Sequence, residues 1–291
     1  MKPAAFDYIA ADTVERAIAA LASAGDDAKI IAGGQSLVPM LNFRLLRPSL
    51  LVDINRIPGL AFIEETEKEL RVGPLTRHRQ LETSPLIDKH LPVLSCAMTH
   101  VAHLAIRNRG TIGGSLSHAD PAAELPMMAL LLDAELQITS TAAQRNVAAR
   151  DFLLDALTVD LASGEMVTEI KLPKLPPRSG WGFEEVSRRH GDFALAAVAV
   201  TLTLSGDAIA EARIALTGVG PTALRATAAE ALLIGRAIEP PLTERAVEAV
   251  RAAIAPQNDL HASADYRRHL AGVLTERAIE AAWLRATASA A

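Results

Sequence analysis

Two adjacent glycines followed by a serine occur in Thr111-Ile112-Gly113-Gly114-Ser115, which continues through His118, Ala119, Asp120 and Pro121 to Glu124. A glycine pair opens backbone conformations closed to residues that carry a side chain. A turn built from one can aim several N–H groups at a single point, an anion site that needs no Lys or Arg. The same chemistry recurs at Ala32-Gly33-Gly34-Gln35-Ser36, directly after the apolar pair Ile30-Ile31. Two neutral glycine loops suit a diphosphate, gripped from both sides. Read singly, each Gly-Gly is also an ordinary turn.

Other residues offer weaker chemistry. His100 and His103 stand three apart on a predicted helix, a metal-ligand spacing, but no third ligand recurs nearby at a suitable interval, which favours packing roles. His118-Ala119-Asp120 suggests either a metal or, following the glycine loop, the lining of a ligand cleft. Asp120 has a further role open to it as a helix cap, with Pro121 at the first helical position. The one cysteine, Cys96, excludes an internal disulfide. An iron–sulfur cluster normally needs four thiolates, so any such cluster would sit on another chain. Lying among Leu91, Val93, Leu94 and Met98, Cys96 reads as a packed thiol.

The elements that must position these loops can be traced in order. Residues 6–9 suggest a short strand, and Asp12 an N-cap with Glu15 three residues on, opening a helix to about residue 24 that Gly25 ends. A buried strand at 29–32 leads into the first glycine loop, a helical turn follows at 36–41, and a further strand at 50–54. This β-α-β-α-β order predicts a small α/β lobe. A strand running into a glycine loop and then a helix start is also the setting in which free N–H groups bind phosphate.

Strand character resumes at 69–73, with helical patterns at 76–82 and 90–102. Asp120 then caps a helix to about residue 132, and strands follow at 135–139, 145–148 and 167–172. Three prolines within residues 173–180 mark a linker. Beyond it, 181–187, 194–204 and 208–216 read as a strand meander, with Ser205-Gly206-Asp207 as a hairpin turn. Helices are expected at 224–233, 243–255 and 264–286, the last with an apolar stripe at 270, 273, 274, 278 and 281. The two glycine loops fall on different lobes, with a ligand in the cleft between them.

The totals fit that picture. The chain has 291 residues, half of them hydrophobic, and a net charge of −5, long enough for two domains and ordinary for a globular protein. With 3 % aromatic residues and a mild acidic balance, it lacks the basic field and stacking platforms of a nucleic-acid binder. The longest apolar run, 193–204, is broken by Thr201 and Thr203 and is too short to span a membrane. The N-terminal residues carry no apolar signal core, so a cytoplasmic protein is expected.

Residues 32–48, AGGQSLVPMLNFRLLRP, and 106–126, IRNRGTIGGSLSHADPAAELP, resemble the FAD-binding medium subunit of molybdenum hydroxylases. The type is the carbon monoxide dehydrogenase medium chain, related to the flavin domain of xanthine dehydrogenase, and the resemblance spans about residues 1–285. It implies an α+β fold. A two-lobed FAD-binding domain of the PCMH type would occupy 1–176, with lobes at about 1–57 and 58–176. A C-terminal domain, 177–291, would carry a three-stranded antiparallel sheet with a helical bundle.

The resemblance further implies noncovalent FAD, held by Ile31, Ala32, Gly33, Gly34, Gln35, Ser36 and Leu37 on one side. Thr111, Ile112, Gly113, Gly114, Ser115, His118 and Asp120 would hold it on the other. Glu124 matches an acidic position that contacts FAD through a sugar or ribityl hydroxyl, and is otherwise a first-turn carboxylate favouring the helix dipole. Val101 and Val167 match apolar FAD contacts and would otherwise read as core. Ser115 departs from the Asn of many relatives and reaches less far. Glu184 stands where the xanthine dehydrogenase flavin domain has a lysine, and is carried over only as a weak contact. Phe193 falls near the isoalloxazine position of carbon monoxide dehydrogenase-type subunits, where it either stacks or simply begins a strand.

No general acid or base is expected in this chain. The resemblance places [2Fe-2S] clusters on a small partner subunit and molybdopterin on a large one, in a dimer of heterotrimers that sends electrons through FAD to an external acceptor. A free-standing FAD oxidoreductase and a cofactor-free assembly scaffold are the alternatives.

Overall fold

The computed structural model describes residues 2–288. The chain begins with a parallel sheet of three short strands in which Leu50–Asp53 lies between Asp7–Ala10 and Ala28–Ile31. Strands joined in parallel need a crossover, and the helix Val14–Ala24 supplies one, burying Ala17, Ile18 and Leu21 against Val52, Ile54 and Ile57. Thr13, one residue beyond the expected Asp12, is the N-cap and accepts from the Arg16 N–H at 3.1 Å. Asp12 instead pairs with the Arg16 guanidinium at 3.3 Å.

A second, five-stranded antiparallel sheet follows, in the order Ile63–Glu65, Glu69–Val72, Met166–Pro173, Glu135–Thr139, Gln144–Ala148. Its central strand is the last in sequence, which closes the sheet over the intervening helices. Leu70, Val72, Leu136, Ile138 and Ile170 point inward with period two. All eight residues of the helix Glu124–Leu131 are buried beneath them. The helical patterns expected at 76–82 and 90–102 emerge as three helices, His78–Thr83, Pro85–His90 and Pro92–Met98. Pro85 and Pro92 each occupy a first helical position, so each proline restarts the helix rather than extending it.

The third sheet pairs Ser179–Ser187, Ala194–Ser205, Ala208–Thr217 and Leu224–Arg225. Four strands thus replace the expected three. Residues 224–225, expected as the start of a helix, pair instead with Ala215 and Leu216, and the helix begins at Thr227. Two further helices, Pro240–Ala253 and Ala264–Ala288, close its core. Gly180 and Gly182 lie against the second of these so closely that an added Cβ would stand 1.9 Å from the Ala282 carbonyl oxygen and 2.1 Å from that of Ala278. The end of the expected C-terminal domain, at 291, lies outside the described residues. Among those residues no helix is long and apolar enough to cross a membrane.

Candidate functional site

The first glycine motif is a turn between the strand Ala28–Ile31 and the helix Leu37–Asn42. Gly34 sits at φ 72°, where side chains are strained. Gly33 needs to be glycine for a different reason. An added Cβ would stand 2.3 Å from the carbonyl oxygen of Arg109, so this turn lies directly on the segment that leads into the second motif. The backbone N–H groups of Gly33, Gly34, Gln35 and Ser36 donate to no other described residue. They are the free donors of the site.

A polar bridge holds this contact. Asn55 Nδ2 donates to the Ala32 carbonyl at 2.8 Å, and Arg77 Nη2 donates to Asn55 Oδ1 at 2.7 Å. Arg77 Nη1 donates to the Arg109 carbonyl. One guanidinium therefore links the turn after the first sheet to the approach of the second motif. Neither Asn55 nor Arg77 stood out in the sequence, because each acts through a partner far along the chain.

The second motif departs from expectation. Thr111 is an N-cap, and Ile112–His118 is a short helix in which Gly113 and Gly114 are not left-handed. Its N–H groups are already taken: Ile112 donates to Thr76 O (3.1 Å), Gly113 to Pro74 O (3.0 Å), and Ser115 to Thr111 O (3.0 Å). Gly114 donates to Thr111 Oγ1 at 3.1 Å. The N–H groups of the second motif, expected to face a ligand, are therefore spent within the fold, and unspent ones remain only in the first turn. Gly113 permits close packing, since an added Cβ would meet Pro74 at 2.5 Å. The second motif presents the exposed Gly114 and the partly exposed Ser115 and His118.

Ala119, at φ 48°, ends this helix. Asp120 does not cap the next one; its Oδ1 accepts from the Ala122 N–H at 2.9 Å, and the helix starts at Glu124. Residues 120–123 form a turn, closed by the Ala123 N–H donating to the Asp120 carbonyl at 3.1 Å, and the third sheet holds it. Thr217 Oγ1 donates to the Pro121 carbonyl at 2.8 Å, and so does the Gly218 N–H at 2.9 Å.

Val101 and Val167 are buried in the core of the second sheet. Arg107 braces the Val101 segment, donating to the carbonyls of Val101 (2.9 Å) and Ala102 (2.8 Å) and to Glu82 (2.9 Å). The hairpin between the first two strands of the third sheet rides on this segment. Gly191, at φ 85°, leaves no room for a Cβ beside His103 and the Ala102 carbonyl. Phe193 follows it and is 64 % exposed.

Strand alternation sends Glu184 to the face of Gly180 and Gly182, toward the last helix, and Glu185 to the face of Phe183. The sequence pointed to Glu184, yet Glu185 is the carboxyl set beside Glu124. Its side chain is 2 % exposed and its Oε1 is 3.9 Å from His100 Nδ1. Its Oε2 has no hydrogen-bond partner. The His100 ring lies 4.8 Å from Phe183 and 6.2 Å from His190. Burial, then the Glu124 charge, push Glu185 up to about 8, and burial with Asp120 pushes Glu124 up to about 7. Burial, then His190, hold His100 below its ordinary value. Burial likewise raises the Cys96 thiol and disfavours a reactive thiolate. Among the described residues no group of three His, Cys, Asp or Glu side chains could hold a metal.

The two raised carboxyls make stability depend on pH. Between the ordinary glutamate value of 4.5 and about 8, the folded chain binds more protons than the unfolded one. The stability held below that window is therefore lost as pH rises through it. Thermal midpoints taken near pH 5.5 and near pH 8.5 should fall less for Glu185→Gln than for the parent chain. An equal fall in both would show that Glu185 does not contribute.

A turn of unpaired N–H groups, pressed against a second element, is a setting in which proteins bind phosphate groups. Comparison with known proteins makes the class specific. The family described as FAD binding domain in molybdopterin dehydrogenase matches residues 4–175, and the CO dehydrogenase flavoprotein C-terminal domain matches residues 181–282. The 6-hydroxypseudooxynicotine dehydrogenase complex subunit alpha of Paenarthrobacter nicotinovorans is 47 % identical, over 98 % of this chain and 97 % of its own length. The carbon monoxide dehydrogenase medium chain of Hydrogenophaga pseudoflava is 38 % identical, over 98 % and 99 %. A solved structure of carbon monoxide dehydrogenase from Hydrogenophaga pseudoflava superposes with a TM-score of 0.96 at 40 % identity, over 98 % of this chain and 99 % of the other. The chain belongs to the flavoprotein medium-subunit family of the carbon monoxide dehydrogenase type, an oxidoreductase family with an FAD-binding domain.

Proposed function

We propose that the chain is the FAD-carrying electron-transfer subunit of a molybdenum hydroxylase complex. Its partners are a small subunit with [2Fe-2S] clusters and a large molybdopterin subunit, assembled as a dimer of heterotrimers in the cytoplasm. Electrons leave through this chain to an external acceptor. The observation that carries the reading is the set of four unspent N–H groups around Gly34, in a chain whose relatives are medium chains and complex subunits. A bound isoalloxazine supplies the redox chemistry, and the protein supplies binding, orientation and electrostatics.

The residues fit that cofactor. Gly33 to Ser36 offer neutral donors to a diphosphate, and Ile31, Ala32 and Leu37 carry that turn. Thr111, Ile112 and Gly113 set the opposite wall, while Gly114, Ser115, His118 and Asp120 face the cleft. Glu124 accepts from sugar or ribityl hydroxyls, Val101 and Val167 back the ring, and Phe193 covers it from the third sheet. The FAD-binding domain spans 1–176 in two lobes, 1–57 and 58–176, with the remainder as the C-terminal domain.

The test is direct. The chain purified with excess FAD is expected to be yellow, to release all its flavin on acid precipitation, and to contain neither iron nor molybdenum alone. Failure to bind flavin, or stoichiometric iron in the isolated chain, would contradict the assignment.

A further inference from the structure

The free N–H groups of the Gly33 turn are aimed by whatever holds the carbonyls beside them. A peptide unit is planar and trans, so its C=O and N–H point to opposite sides. Pinning a carbonyl therefore fixes the direction of the N–H that follows it. The Gly33 carbonyl accepts from Gln35 Nε2 at 3.0 Å, and the Gly34 carbonyl from the Val38 N–H at 3.0 Å, both from close by in sequence. The Ala32 carbonyl shares its peptide plane with the Gly33 N–H, and it is held from farther off, by Asn55 Nδ2 at 2.8 Å.

An amide side chain has a donor end and an acceptor end, and only the donor end can hold a carbonyl. Two neighbours orient Asn55 accordingly. Asp53 Oδ1 accepts from Asn55 Nδ2 at 2.6 Å and from the Asn55 N–H at 2.8 Å. Arg77 Nη2 donates to Asn55 Oδ1 at 2.7 Å. A guanidinium has no acceptor, so Arg77 admits only the oxygen on its side and turns Nδ2 toward Ala32. The main chain seats Arg77 in turn, since residues 76–78 pair with 110–112. The Ile112 N–H donates to the Thr76 carbonyl at 3.1 Å, and the His78 N–H to the Gly110 carbonyl at 2.9 Å. Arg77 Nη1 donates to the Arg109 carbonyl, the group against which Gly33 packs. One guanidinium thus closes a ring of contacts around Gly33.

We propose that Arg77 is a positioning residue for the diphosphate of FAD. It sets the direction of the Gly33 N–H through Asn55, and the place of Gly33 through the Arg109 carbonyl. This rests on the cofactor reading above. Arg77 spends donors on Asn55 and Arg109, so its part is to aim neutral donors at the phosphates.

The experiment measures FAD affinity of the full chain by flavin fluorescence, well below each variant's thermal midpoint so that unfolding does not contribute. Arg77→Gln and Asn55→Leu should each weaken binding about tenfold, the worth of roughly one hydrogen bond. The double variant should fall well short of the product of the two losses, because both act on one peptide plane. Arg77→Lys keeps one donor and should recover part of the affinity; if Arg77→Gln does not fold, Arg77→Lys carries the same readouts. Phosphorus NMR of bound FAD should show displaced diphosphate resonances in Arg77→Lys and Asn55→Leu. Parent affinity in the Arg77 variants, losses that multiply, or unmoved phosphorus resonances overturn the inference while leaving FAD binding intact. A parent chain that takes up no FAD brings down the cofactor reading and the inference with it.

Discussion

Gly33→Val in the assembled complex is expected to strip FAD and stop turnover with the external acceptor, while substrate still bleaches the iron–sulfur absorbance in a single turnover. The new side chain has nowhere to go. Its Cβ alone would stand 2.3 Å from the Arg109 carbonyl oxygen and 2.9 Å from Gly110 Cα, both backbone atoms that cannot swing aside. Overpacking of this kind costs roughly 1–3 kcal/mol. Each N–H turned away from a diphosphate forfeits roughly 1.5–3 kcal/mol more. Two such losses bring the total to about 4–9 kcal/mol, on the order of three powers of ten in affinity or more. Gly220→Ala is the control, since its Cβ would meet nothing nearer than 3.5 Å. A Gly33→Val complex that keeps its FAD would remove the turn from the cofactor site. One that loses FAD yet keeps full turnover would remove the flavin from the electron path.

Arg107→Met should be the most destabilising single change near the site. The guanidinium is buried and donates to two main-chain carbonyls and Glu82, whose side chain is 12 % exposed. Its loss leaves those two carbonyls without their donor at about 1–3 kcal/mol each, while Glu82 keeps its pairing with Arg79 at 2.8 Å. For a chain of this size that lowers the melting midpoint by on the order of 10 °C. The Val101–Ala102 segment would also lose its brace, with Ala102 left at φ 44°, so FAD affinity should fall together with stability. A single mutant within about 1 kcal/mol of the parent would refute a buried structural role for Arg107.

What could be read from the chain follows from how local each signal is. Glu135–Thr139 matches its expected bounds, because Leu136 and Ile138 alternate strictly with polar neighbours. The hairpin at Gly206 is equally local, a single left-handed glycine at φ 60°. The glycine motifs were visible, yet their mechanics were not. Whether an N–H is free depends on carbonyls contributed from elsewhere, and Pro74 and Thr76 consume those of Ile112 and Gly113 from more than thirty residues upstream. Asp120 lies outside the cap because the helix starts only at Glu124, after a turn whose Pro121 carbonyl accepts from Thr217, almost a hundred residues away. Glu184 and Glu185 differ by strand phase, since Gly180 and Gly182 turn the face they share with Glu184 to the last helix. The edge strand Leu224–Arg225 exists only through its partners Ala215 and Leu216.

That glycine face has a consequence for the order of assembly. Gly180 and Gly182 dock on Ala278, Ala282 and Ala286, backbone against backbone, across about a hundred residues of sequence. On the ribosome, everything that builds the first two sheets emerges before the helix that seats the strand Ser179–Ser187. The Gly33 turn and its Arg77 bridge can therefore form while the third sheet is still without its covering helix. Domains generally complete in that N-terminal-first order. The glycine turn can thus be complete before the last helix seats the strand that leads into the Phe193 hairpin.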